Sequence, residues 1–99
     1  MRIDVVGRGV DVTDAIREYA ETKADKLTRY FNGTQFVEVH LEKADSHTFR
    51  VELVIDVEKH ENFVCDAKHE DLYHTIDDAV HKGTRLLTDF KEKLKNTKR

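Results

Sequence analysis

The six histidines could ligate a metal, Cys65 and Ser46 could act as nucleophiles, and the lysines and arginines could hold a polyanion. A zinc site needs several His, Cys or carboxylate ligands at a close, recognisable spacing. Here His74 and His81 stand seven apart with no third ligand suitably placed, and His40, His47, His60 and His69 are scattered over strands and turns. No metal and no other cofactor is expected. Ser46 is the only serine and lies in the polar turn Ala44-Asp45-Ser46, not on a nucleophile elbow. Gly7-Arg8-Gly9 lacks the lysine and the length of a phosphate-binding loop. Cys65 falls at an inward strand position, where a free cysteine behaves as a small hydrophobe. The chain reads as a non-enzyme, with no small-molecule substrate.

Charge is the chemistry that remains. The net charge of −3 argues against nucleic acid, but its distribution argues differently. Residues 35–70 hold nine acids against four bases, whereas residues 82–99 hold seven bases against Asp89 and Glu92. Such a polarised chain can bind a polyanion through one region while the other stays in solvent. Lys82 and Arg85 line one flank of the second helix together with Asp78, Asp89 and Lys93. Those residues can form an i,i+4 ladder of ion pairs, or an edge that tracks phosphates and releases their counterions. In the first helix Lys23 falls inside the apolar arc, with Lys26 and Arg29 further round the same side. Its stem can snorkel over apolar surface, or the three bases can follow a backbone. Tyr73, on the flank of the second helix, can stack on a base or simply pack. Phe49 and Phe63 read as core, and the outward sheet positions are acidic, so any nucleic acid must meet helices and edges.

The elements that position these residues are legible from periodicity. Arg2 to Gly7 is a short strand ended by glycines. Thr13 caps a helix from Asp14 to about Phe31, with Ile16, Tyr19, Ala20, Leu27, Tyr30 and Phe31 on one face, stopped by Asn32-Gly33. Val37, Val39 and Leu41, then Phe49, Val51, Leu53, Ile55 and Val57, alternate with polar residues in two strands. A further strand runs from about Asn62 to Lys68. Asp71 then caps a long helix whose apolar arc runs from Leu72 to Leu94. The expected fold is α+β in the order β-α-β-β-β-α, with two helices packed on one face of a four-stranded sheet. Residues 1–99 form one domain, with about 96–99 as a flexible basic tail. No apolar run approaches the ~18 residues of a membrane span, and the single cysteine excludes an intrachain disulfide. A cytoplasmic location is expected.

Four motifs in order give the chain a resemblance. They are Thr13-Asp14-Ala15-Ile16-Arg17, then Lys23 with Lys26-Leu27, then Lys68 through Tyr73 with Ile76-Asp77, then Lys82, Arg85 and Leu87. Together they resemble the ribosome hibernation promoting factor and ribosome-associated inhibitor A family, also called the sigma-54 modulation protein family. The resemblance implies binding in the decoding channel of the bacterial 30S subunit, over 16S rRNA, where messenger RNA and the A- and P-site tRNAs would lie. It implies rRNA phosphate contacts from Lys23, Lys26, Arg29, Lys82 and Arg85, followed by Lys91 and Lys93. A chain that stops at Arg99 resembles the short form, whose ribosome dimers need a separate small dimerising protein. Gly83 and Leu86 depart from the leucine and the polar residue usual at those places, and Asp89 stands where relatives often have a base. The rival readings are a general double-stranded RNA module and a protein-interaction module using the acidic sheet face. Glu70-Asp71 with Asp77-Asp78, at the start of the second helix, would repel a duplex there.

Overall fold

A computed structural model describes residues 2–97, with side chains through Lys95. The elements are β1 (Arg2–Arg8), α1 (Asp14–Asp25), a 3-10 turn (Lys26–Arg29), β2 (Thr34–Lys43), β3 (Phe49–Val57), β4 (Phe63–His69) and α2 (Leu72–Thr97). The four strands form one sheet in chain order. β2, β3 and β4 pair antiparallel, while β1 runs parallel to β2, as the crossover through α1 requires. The strand alternation sends Val37, Val39, Leu41, Val51, Leu53 and Ile55 to one face, where each is buried. α1 packs over β1 and β2, and α2 over β3 and β4. Ala20, Ala24, Leu27, Ile76, Ala79 and Leu87 close the core from above. The α+β architecture, with both helices on one face, is the one expected.

The first helix is shorter than its periodicity suggests. The α-helix ends at Asp25 and tightens into the 3-10 turn, where the Thr28 hydroxyl donates to the Asp25 carbonyl at 2.8 Å. A 3-10 turn advances about 120° per residue against about 100° in an α-helix, so four residues accumulate roughly 80° of extra rotation. Leu27 keeps its place in the core, but Tyr30, expected on the apolar face, emerges 42% exposed.

The second helix is longer than its sheet. Its 26 residues span about 39 Å, beyond strands of seven to ten residues. Its last turns overhang, and Leu94, expected in the apolar arc, is exposed. At Gly83, α2 lies against Ile55, Leu27 and Leu53. A Cβ there would stand 3.1 Å from Ile55 Cδ1 and 3.4 Å from Leu27 Cδ2, so these side chains fill the space expected for a leucine. Of the tail expected over 96–99, α2 includes 96 and 97, and Lys98 and Arg99 lie outside the described residues.

Candidate nucleic-acid interface

The start of α2 is fixed by the strand-to-helix corner. The Tyr73 amide donates to Oδ1 of Asp71 at 3.0 Å, which satisfies a first-turn amide as an N-cap does. The Asp71 amide in turn donates to Nδ1 of His69, and the buried Thr75 hydroxyl donates to the Asp71 carbonyl at 2.6 Å. With this register set, bases of the two helical segments line three hollows around α2.

The first hollow lies between the helices, where Lys23, Lys26 and Tyr30 face Asp77, Val80, His81 and Thr84 across a groove of about 290 Å³. Tyr19 and Asp77 join the helices at one end. The Tyr19 hydroxyl donates to Asp77 at 2.7 Å, which, with partial burial and the nearby carboxylates, pushes its pKa up to about 12. Tyr19 therefore stays a neutral donor. The Lys23 ammonium stands 3.6 Å from Asp77 and 5.3 Å from the centre of the Tyr19 ring. Its place inside the apolar arc is thus explained by a cation over an aromatic face, as well as by its stem. Tyr73 packs edge-on against Tyr19 with ring centres 4.9 Å apart, yet remains 40% exposed. Lys91 follows Thr84 by seven residues and so continues the same side of α2.

The second hollow, about 380 Å³, lies between α2 and the β4 edge. Lys82 and Arg85 line it with Val64, Cys65, Leu86 and Asp89. Lys82 donates to the Asp66 carbonyl at 2.8 Å, and Asp78 lies 3.3 Å from His74, so these contacts take the place of the Asp78–Lys82 rung that the ladder reading would require. Lys93 lines the next hollow along the helix, beside His60 and Phe63. Lys23, Lys26 and Lys91 therefore lie on one side of α2 and Lys82, Arg85 and Lys93 on the other, with Arg29 in the 3-10 turn. Lys26, Arg29, Arg85 and Lys91 are exposed and pair with no carboxylate among the described residues. Sequence periodicity missed Tyr30 and His81 as groove residues, the first because the 3-10 turn was invisible to it.

The outer sheet face behaves differently. Arg50 binds Glu42 at 2.7 Å, Glu52 at 3.0 Å and Asp66 at 3.0 Å, and the Glu42 and Glu52 bonds hold its guanidinium above the ordinary arginine range. Cys65 is partly buried, with Sγ 3.6 Å from the Ala79 carbonyl, and burial pushes its thiol up to about 11. It is a poor nucleophile at neutral pH, since the thiolate is the reactive form. Among the described residues no three His, Cys, Asp or Glu side chains gather as metal ligands, and no helix is long and apolar enough to cross a membrane.

The family model described as sigma 54 modulation protein / S30EA ribosomal protein matches residues 3–95. This chain belongs to that family. A ribosome hibernation promoting factor of Azotobacter vinelandii is 36% identical over 94% of this chain and 85% of its own length. The factor of the same name from Salmonella typhimurium is 35% identical over 96% and 98%. Among solved structures, the Thermus thermophilus Protein Y N-terminal domain superposes with a TM-score of 0.81 at 32% identity, covering 91% of this chain and 99% of that one. A ribosomal subunit interface protein from Coxiella burnetii shares the fold, with a TM-score of 0.84 at 23% identity over 93% and 99%. The resemblance carried by the four motifs is thus correct. A sigma 54 modulation / S30EA family protein is a ribosome-associated factor and not an enzyme.

Proposed function

We propose that this protein is a ribosome hibernation factor that occupies the decoding channel of the 30S subunit through its helical side. The supporting observation is the distribution of unpaired charge: in a chain of net charge −3, the exposed Lys26 and Arg29 of the 3-10 turn and Arg85 and Lys91 of α2 pair with no carboxylate among the described residues, whereas Lys23 on α1 pairs with Asp77. Each such base that meets a phosphate releases counterions without first breaking an internal ion pair. Their placement on both sides of α2 suits a surface enclosed by folded RNA. Lysines and arginines on phosphates position a protein but read no sequence, so recognition would come from shape. The open hollows suit a polymer, and the neutral Cys65 thiol supports a role without catalysis. The relatives' names support the reading: hibernation promoting factors in Azotobacter and Salmonella, a subunit interface protein in Coxiella. Site residues are Lys23, Lys26, Arg29, Lys82, Arg85, Lys91 and Lys93, with action in the cytoplasm. A separate small protein would supply any ribosome dimerisation.

The test is co-sedimentation of the protein with 30S subunits, with and without messenger RNA and initiator tRNA. Saturable binding that the two RNAs displace is expected. Binding that is indifferent to both would place the site outside the decoding channel.

A further inference from the structure

We propose that the groove between the two helices takes a single-stranded RNA segment, with the Tyr30 and Tyr73 rings as base-stacking platforms at its two ends. The inference rests on the ribosome-binding reading and adds the kind of RNA contact made in this groove. The chain has three tyrosines and no tryptophan; Tyr30 lines this groove, and Tyr19, bonded to Asp77, carries Tyr73 against its ring at the Asp77 end. Tyr19 is committed internally, its hydroxyl on Asp77 and its face under the Lys23 ammonium. Tyr73 uses one edge contact with Tyr19 and leaves 40% of its surface open. Tyr30 is 42% exposed, makes no ring contact among the described residues, and was turned out of the core by the 3-10 turn.

Lys23 and Lys26 line the groove between Tyr30 and the Asp77 end, Lys23 paired with Asp77 and Lys26 with no carboxylate among the described residues. A cationic track interleaved with half-open aromatic faces is what binds single strands without reading sequence: backbone on the bases, nucleobases on the rings. The eleven residues from Tyr19 to Tyr30 span roughly 16–18 Å, room for about five stacked nucleotides at ~3.4 Å each. A duplex keeps its bases stacked inside and gains nothing from these rings, so the groove favours unpaired RNA.

The deciding experiment compares 30S binding of wild type, Tyr30→Leu and Tyr30→Phe over a salt series, after circular dichroism has shown each variant folded. Loss of a base stack predicts about 5- to 100-fold weaker binding for Tyr30→Leu, with an unchanged salt slope, and near-wild-type binding for Tyr30→Phe. Wild-type affinity in Tyr30→Leu overturns the proposal. So does an equal loss in both variants, which would make the contact a hydroxyl hydrogen bond. Should the wild type itself fail to bind ribosomes, the ribosome reading falls. The groove is then judged by NMR of 3-fluorotyrosine-labelled protein with an adenine-rich single-stranded RNA nonamer. Shifted Tyr30 and Tyr73 resonances support the stacking groove, and unmoved ones overturn it.

Discussion

Arg50 and Arg85 are the same side chain in opposite circumstances. Arg50, on the outer sheet face, is surrounded by Glu42, Glu52 and Asp66 and is about a quarter exposed, at 28%. Arg85, beside the β4 edge, is exposed and pairs with no carboxylate among the described residues. The contrast extends to the surroundings of each. At the centre of the outer sheet face the charge of Arg50 is consumed by its neighbours, though Lys68 opposite it is exposed; on the helical side, Lys26, Arg29, Arg85 and Lys91 are left to solvent. Net charge averages the two sides and conceals the one that matters. A base committed to three carboxylates stabilises the fold, and an uncommitted base is available to a partner.

The largest expected effect separates the two sides by mutation. Lys82→Glu with Arg85→Glu should weaken ribosome binding by more than about a hundredfold at physiological salt, since both charges change sign at the edge proposed to meet phosphates. Both lie outside the buried arc of α2, so the fold should persist. Arg50→Ala should do the reverse, leaving ribosome affinity unchanged while lowering unfolding free energy by about 1 kcal/mol as three carboxylates lose their shared partner. Co-sedimentation and urea unfolding of the two variants read both halves. If the helix variant binds like wild type, the assignment of that edge fails.

A smaller effect concerns the clamp between the helices. The Tyr19 pKa of about 12 lies above the ordinary value of 10.0, so the folded protein holds this proton more tightly than the unfolded chain does. That contribution is fully present below pH 10 and is lost as pH rises through 12. Wild-type stability should therefore fall across that alkaline window, and Tyr19→Phe should lack this part of the fall while being less stable at neutral pH. Thermal melts of both proteins between pH 9 and 12 test it. Parallel curves would mean that the Tyr19–Asp77 bond does not join the helices in solution.

Much of this was legible in the sequence because strand alternation and capping are local. Val51, Leu53 and Ile55 face the core as their period-two pattern requires, and Asp71 caps α2 where its position implied. What escaped was set by changes of pitch and by packing across the chain. Tyr30 moved from the apolar face to the groove because a 3-10 turn replaced the last helical turn. Leu94 left the core because α2 outruns its sheet, and a helical wheel carries no information about where a sheet ends. Gly83, a weak point by helix propensity, proved to be a position where Leu27 and Ile55 leave little room for a side chain. The bases of the site were all visible, but their division among three hollows depended on where α1 and β4 lie against α2.

The central claim is that uncommitted bases on the helical side carry ribosome binding. Its most direct test is the slope of log affinity for 30S subunits against log salt, measured for wild type and for Lys26→Ala, Arg85→Ala and Arg50→Ala. A steep negative slope is predicted, reduced by about one for each of Lys26→Ala and Arg85→Ala and unchanged in Arg50→Ala. A shallow slope in wild type, or a change in Arg50→Ala as large as the other two, would contradict the account.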